Sequence, residues 1–219
     1  MIGFCVCNKR YEKRVNYVID NLFKKLKNKN INFYIYSNEK IKTNYEVRAL
    51  PKIEFDFKSR TEYDSFMPLL LAKLKIFSDL SKIDRVFNID LDIEIHKDLS
   101  EIFDRYTDEK LYGCLEDTNY YRLYDRRKQI LKALNITEFE YINAGFMIMN
   151  FKYDFDLNEV KEFFSKYPFS NCPEQDFLNW KFKDKICVMP NHVNWNRLLP
   201  FEINPYITHY LGFPKPFNL

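Results

Sequence analysis

An apolar, partly β-branched run from Val86 to Ile95 is interrupted by two aspartates, and that combination limits what the chain can become. Val86, Phe87, Ile89, Leu91, Ile93 and Ile95 predict a buried strand. A buried strand cannot carry unpaired carboxylates without a large desolvation cost, so Asp90 and Asp92 need compensation. Spaced two apart, they leave an extended backbone on one face. Two carboxylates converging where a strand runs out describe a site for a hard cation such as Mg²⁺ or Mn²⁺. A plainer reading has Asp90 closing the strand and Asp92 opening a solvated turn. This stretch alone does not separate the two.

The flanking sequence frames that strand in an α/β pattern. Ile2 to Cys7 reads as a first strand, ended by Asn8-Lys9-Arg10. Val15, Val18, Ile19, Leu22, Phe23 and Leu26 then recur at helical spacing, predicting an amphipathic helix from about Tyr11 to Leu26. Its lysine-rich tail places cations at the negative end of the helix dipole, as a solvated helix end does. Phe33 to Tyr36 reads as a second strand and Tyr45 to Leu50 as a third, completing a right-handed βαβ unit. Ser59 and Glu62 have the spacing of a capping box. Pro68 either kinks the helix that follows or begins a second one, and Leu69 to Leu80 is apolar helix with Lys73 and Lys75 inside it.

Beyond the acidic strand, short helices read at Leu99 to Phe103, Leu157 to Ser165 and Glu174 to Phe182, with a longer charged one at Tyr121 to Leu134. Strands read at Leu111 to Leu115, Ala144 to Met149 and Ile186 to Met189. Strands alternating with helices predict an α/β fold with a mostly parallel central sheet. Ligands of such sheets bind beyond the carboxyl ends of the strands, where Asn8 to Tyr11 and Asp90 to Asp92 fall.

Composition narrows the function classes. At 219 residues the chain is long enough for one domain with a proper core, and its 46% hydrophobic and 30% charged residues suit a globular protein. The 21 Phe and 16 Tyr exceed ordinary use, and tyrosine suits sugar and base pockets by offering both a face and a hydroxyl. A net charge of +3, from 34 basic and 31 acidic residues, is too balanced for a nucleic-acid binder. Five cysteines (Cys5, Cys7, Cys114, Cys172 and Cys187) are odd in number and lack zinc spacing, so they read as small hydrophobes in a reducing compartment. No apolar run approaches a transmembrane span and the amino terminus lacks a signal-peptide pattern, which predicts a cytoplasmic protein.

Glycine is scarce at four residues, so its positions carry information. Gly145 lies in Asn143-Ala144-Gly145, where a strand begins, and Gly212 lies between His209 and Lys215. Either is a simple turn glycine or a point of close backbone approach to a ligand. Near the carboxyl terminus, His209 offers an imidazole to a borderline metal, Gly212 offers backbone N–H groups, and Lys215 offers charge to a phosphate. A lone histidine is more often a core or surface residue, and a lysine beside proline more often marks a solvated turn.

Together these stretches resemble glycosyltransferase family 8, the retaining group that includes glycogenin and bacterial lipooligosaccharide α-galactosyltransferases. Four matches occur in the family's order: the strand ending in Asp90-Leu91-Asp92; Asn143-Ala144-Gly145 with Asn150; Gln175-Asp176 with Leu178-Asn179; and His209-x-x-Gly212-x-x-Lys215-Pro216. The Asp-x-Asp is common to many glycosyltransferases, whereas the closing motif is far more specific. The resemblance implies a GT-A fold, with a nucleotide-binding part at about 1–115 and a sugar- and acceptor-binding part at about 116–219.

It also implies Mn²⁺ as cofactor, with Mg²⁺ as a substitute, held by Asp90, Asp92 and His209; this donor set suits Mn²⁺ better than Ca²⁺. Gly212 and Lys215 match a diphosphate clamp, Tyr11 matches an aromatic that stacks on uracil, and Lys73 matches a basic residue reaching the donor. Asn8 stands where relatives commonly have an Asp that accepts from the uracil N–H, which an amide oxygen can also do. Asp117, Asn143 and Gln175 match sugar-binding positions. Glu174 replaces a frequent Asp, and Phe217 replaces a Trp. Relatives continue past this motif, so the resemblance leads one to expect that the acceptor elements they carry there are missing.

The function implied is transfer of a hexose, glucose or galactose, from a UDP-sugar to a glycan, lipid-linked or protein-linked acceptor. In that reaction Lys215 and the metal stabilise the leaving diphosphate, Gln175 lies near the β face of the sugar, and Asp117 orients it. A rival reading is a binding module of the same fold that holds a nucleotide sugar without turning it over. An Asp-x-Asp phosphohydrolase is a poorer rival, because it needs a nucleophilic Asp directly after the first strand, where the chain has Cys7-Asn8-Lys9.

Overall fold

The computed structural model describes residues 1–28, 30–54, 67–116, 124–167, 170, 172–196 and 204–210. Asp117, Gly212, Lys215, Phe217 and the Ser59 to Glu62 capping pattern lie outside the described residues.

The chain runs β1 (Ile2–Val6), α1 (Glu12–Lys25), β2 (Asn32–Tyr36), β3 (Glu46–Arg48), α2 (Met67–Ser81), β4 (Val86–Ile89) and β5 (Ile93–Ile95). It continues through α3 (Ser100–Arg105), β6 (Leu111–Leu115), α4 (Tyr124–Leu134), β7 (Ile142–Met149), α5 (Leu157–Lys166), α6 (Pro173–Lys181), β8 (Ile186–Met189), β9 (Trp195–Asn196) and β10 (Ile207–His209). The helices form for the reasons their spacing suggests. In α1 the buried face is Val15, Val18, Ile19 and Leu22, with Lys24 and Lys25 in the last turn. Pro68 lies in α2 next to residues outside those described. Pro173 opens α6, a first-turn position where its missing N–H costs nothing.

Seven strands form one sheet in the order β3-β2-β1-β4-β7-β6-β8. Only β7 runs against its neighbours; the other pairings are parallel. Both faces of the sheet are covered. On one, Ile19 and Leu22 of α1 pack with Ile35, Phe87 and Phe146; on the other, Leu74 and Phe77 of α2 pack with Phe4, Phe163 and Phe177. This double coverage explains why the strands read as nearly continuous apolar runs. Cys5, Cys7 and Cys114 are buried, and all five cysteines are free thiols.

Two features depart from the sequence reading. The run from Val86 to Ile95 is two strands, not one: β4 belongs to the large sheet, and β5 joins β9 and β10 in a small three-stranded sheet. The Asp90 N–H still donates to the Gly145 carbonyl at 2.7 Å, in the register of β4 with β7, and the chain then turns through Leu91 and Asp92. The two acids therefore flank a turn and do not share the face of an extended strand. Gly145 lies inside β7, which starts two residues earlier than the apolar run suggests, so it is no turn glycine. The small sheet was not foreseen, because strands of two and three residues leave no readable period.

The topology decides where chemistry gathers. The carboxyl ends of β1, β4 and β6 face one edge of the sheet, delivering Asn8, Asp90 and Glu116 there. Because β7 is reversed, its amino-terminal residues Asn143 to Gly145 reach the same edge. Gly3 permits this central packing: a Cβ there would overlap the rings of Phe33 and Phe87 on the two adjacent strands. Gly3→Ala should destabilise the fold by about 1–3 kcal/mol, the usual cost of overpacking, as measured by urea unfolding; an unchanged midpoint would contradict the close packing.

Candidate active site

Along the cleft edge, a cavity of about 290 Å³ is lined by Asn8, Tyr11, Arg14, Lys73, Leu91 and Glu174, among others. Asp90 and Asp92 also line it. Asn8 follows β1 and presents a buried amide oxygen with no hydrogen-bond partner among the described residues. Tyr11 closes the short helical turn before α1, with the Arg14 guanidinium 5.3 Å from its ring centre. An aromatic face beside an unsatisfied acceptor can receive a planar base bearing an N–H.

Lys73 reaches the cavity from α2. Its Nζ donates to Asp90 Oδ1 at 2.8 Å and to the Ala144 carbonyl at 2.9 Å, and lies 3.9 Å from Glu174 Oε1. Burial works against the lysine charge, but Asp90 and then Glu174 outweigh it and hold the pKa above the usual value. Burial pushes the Glu174 carboxyl upward, with Lys73 opposing. The lysine thus shares its charge between two acids, supplying the compensation that a carboxylate pair at a strand end requires.

His209 arrives on β10, which pairs antiparallel to β5 with His209 opposite Ile93. The Tyr210 N–H donates to the Asp92 carbonyl at 2.8 Å, fixing this pairing one residue further along. The imidazole is 2% exposed, with Nε2 3.2 Å from Asp92 Oδ1. Burial lowers its pKa, but the Asp92 carboxylate outweighs that and raises it. Ligand atoms of Asp90, Asp92 and His209 all lie within 4.8 Å of one another. Close approach of the ring requires Gly145, where a Cβ would overlap His209 Cε1.

These residues fit a divalent ion. Two carboxylates and an imidazole are the donor set of a borderline metal, and the buried His209 Nδ1 has no hydrogen-bond partner among the described residues.

Beneath the cavity lies a polar layer that does not line it. Pairing of β7 with β6 slips between Gly113–Met147 and Leu115–Ile142, leaving Asn143 to Gly145 without ladder partners on that side. Side chains take their place. Asn179 of α6 accepts from the Ile142 N–H and donates to the Ile142 carbonyl, both at 2.8 Å, as a neighbouring strand would. Gln175 Oε1 accepts from the Ala144 N–H at 2.8 Å, and Asn143 Oδ1 accepts from the Gly145 N–H at 2.7 Å. Asn88 and Lys73 both donate to the Ala144 carbonyl. Four residues apart on one helix face, Gln175 and Asn179 are suited to this role.

The sequence-derived residues therefore sort into two groups. Asn8, Tyr11, Lys73, Asp90, Leu91, Asp92 and Glu174 meet at the cavity, with His209 behind Asp92. Asn143, Ala144, Gly145 and Gln175 form the layer below, with their polar atoms bonded to protein groups. Asp117, Gly212 and Lys215 fall outside the described residues. Sequence reasoning missed Arg14, one turn beyond Tyr11, and Glu116, which directly follows β6. The strand-end rule that found Asp90 also points to Glu116.

The model of Glycosyl transferase family 8 matches residues 2–218. No curated protein sequence matches the chain. Among solved structures, the galactosyltransferase LgtC in complex with donor and acceptor sugar analogs superposes with a TM-score of 0.72 at 16% identity, covering 99% of this chain and 89% of that one. The bifunctional glycosyltransferase WbbM gives 0.69 at 17% identity over 99% of this chain and 46% of that one. The glycosyltransferase GlyE of Streptococcus pneumoniae TIGR4 gives 0.66 at 15% identity over 99% and 56%. These likenesses establish the GT-A fold, and with the family match they bear out the expected architecture. A match over nearly the whole length settles the affiliation: this chain is a glycosyltransferase belonging to glycosyl transferase family 8.

Proposed function

We propose that the chain transfers a hexose, glucose or galactose, from a UDP-sugar to a hydroxyl group of a glycan, lipid-linked or protein-linked acceptor, with retention at the anomeric carbon and with Mn²⁺, or Mg²⁺ in its place. One observation carries this reading: ligand atoms of Asp90, Asp92 and His209 converge beside a cavity that Tyr11 and the unsatisfied Asn8 amide also line. A cavity that offers metal ligands together with an aromatic face and an open acceptor for a base matches a nucleoside diphosphate. The sugar analogs named with LgtC support a donor and an acceptor as the two substrates.

In this reading residues 1–115 bind the nucleotide and 116–219 the sugar and acceptor, within one domain of a cytoplasmic protein. Among the described residues no helix is long and apolar enough to cross a membrane. Tyr11 stacks on uracil and Asn8 accepts from its N–H. Asp90, Asp92 and His209 would hold the metal, which when bound would neutralise charge growing on the departing diphosphate. Lys73 keeps Asp90 aimed and its charge balanced, and Gly212 and Lys215 clamp the diphosphate. Leu91 and Glu174 wall the sugar pocket, and Asp117 orients the sugar.

The bond from the anomeric carbon to phosphate oxygen breaks while the acceptor oxygen bonds on the same face, and the acceptor's hydroxyl proton passes to the departing diphosphate oxygen. Gln175 and Asn143 lie beneath the sugar. The one nucleophilic atom of the Gln175 amide, its oxygen, already accepts the Ala144 N–H, which favours front-face attack by the acceptor over a covalent glutamine adduct.

The decisive experiment screens UDP-sugars for Mn²⁺-dependent release of free sugar; a protein that binds donors but releases none would be a binding module of the same fold. Asp92→Asn should lower turnover on the order of a hundredfold, because losing a ligand forfeits several kcal/mol of charge stabilisation, while the melting temperature stays near wild type. Unchanged turnover would remove Asp92 from its role. Gly145→Ala should displace the His209 ring and weaken Mn²⁺ binding by about tenfold or more, the scale seen when ligand orientation is lost; calorimetric titration of Mn²⁺ provides the check. Tyr11→Ala should weaken UDP binding by about 1–3 kcal/mol if base stacking dominates, and an unaltered UDP affinity would place the base elsewhere.

A further inference from the structure

Glu116 emerges at the carboxyl end of β6 directly beside the layer that carries Asn143 and Gln175, and it is 8% exposed. Its Oε2 accepts from Asn143 Nδ2 at 2.6 Å and from Gln175 Nε2 at 3.0 Å. The second hydrogen on Gln175 Nε2 goes to the Tyr141 hydroxyl at 3.0 Å, and that hydroxyl donates to the buried Asp176 carboxylate. Asp176 is fixed in turn by the Ser170 hydroxyl at 2.7 Å.

Every direction in this network is forced. The Ala144 N–H can only donate, so it must face the amide oxygen of Gln175. A carboxylate can only accept, so it must face the amide nitrogen. Turning the Gln175 amide over would set its oxygen against the Glu116 carboxylate and its NH₂ against the Ala144 N–H, leaving both buried groups unsatisfied. The network reaches the metal-ligand cluster through the backbone it holds: the Gly145 carbonyl accepts from the Asp90 N–H, and Gly145 lies against the His209 ring.

We propose that Glu116 is a positioning residue for glycosyl transfer, whose role is to accept hydrogen bonds from Asn143 and Gln175 and so lock the amides that support the sugar. The inference rests on the glycosyltransferase reading above and extends it to a residue outside the cavity wall. A neutral acceptor in the same place serves equally well, because the locking needs an oxygen and not a charge.

The test compares Glu116→Gln with Glu116→Ala. Expected are a fall in kcat of more than about tenfold for the alanine variant, at least about a third of wild-type kcat for the glutamine variant, and unchanged UDP affinity in both. An alanine variant with wild-type kcat overturns the proposal. So does a glutamine variant as slow as the alanine one, which would mean that the carboxylate charge itself takes part.

A second readout does not depend on turnover. The chain has two glutamines, Gln129, exposed on α4, and Gln175. With ¹⁵N-labelled glutamine side chains, the Gln175 amide protons should exchange slowly with solvent in the wild type and in Glu116→Gln. Rapid exchange in both overturns the locking even if the alanine variant fails to fold. Should the wild type turn over no donor, the proposed function fails while this exchange measurement still decides the role of Glu116.

Discussion

The structure depends on a gap in a β-ladder and on what fills it. Where β7 loses its register with β6, Asn143 to Gly145 have no ladder partner on that side, and buried peptide groups from Ile142 to Gly145 take side-chain partners, each one left unsatisfied costing of order 1–3 kcal/mol. Asn179, Gln175, Asn143, Asn88 and Lys73 supply those partners from side chains. A gap filled by side chains differs from a regular ladder in one respect: each substitute has another atom free to bond elsewhere. Gln175 bonds onward to Glu116 and Tyr141, and Lys73 bonds onward to Asp90. The irregular strand is thereby wired through Lys73 to Asp90, which faces the cavity, and through Gln175 to Glu116, which does not.

Charge follows the same logic. Lys73 is the buried cation between Asp90 and Glu174, and each acid helps keep it protonated against the cost of burial. The arrangement leaves Asp90 and Asp92 where the chain turns between two sheets, accessible from the cavity but anchored behind it. His209 is packed against Gly145 and faces Asp92. A site whose groups are held by protein contacts before any ligand arrives loses little reorganisation energy when charge develops.

Much of this was legible in the residues. The period of α1, the apolar runs of β1, β2, β6 and β8, and the two acids after β4 follow from alternation and helical spacing alone. The strand-end rule placed Asn8, Tyr11 and Asp90 on one edge without coordinates. The split of Val86 to Ile95 was not legible, because alternation continues unbroken across Asp90 and Asp92 while the backbone changes sheets. Nor was the reversal of β7, since a strand buried on both faces has the same sequence in either direction. The resemblance names Asn143 and Gln175 as sugar-binding positions, but their proximity and their bonds to Ala144 and Glu116 needed the third dimension.

By itself the sequence determined the alternating α/β layout, the family, and the acids and imidazole that could meet a metal, because these depend on local period and on residue type. Only the tertiary structure decided that His209 faces Asp92, that Gly145 is bare to admit its ring, and that Glu116 holds the amides beneath. Those facts depend on pairings between residues far apart in the chain, such as β10 with β5, where a two- or three-residue strand carries no period and its partner is chosen by packing.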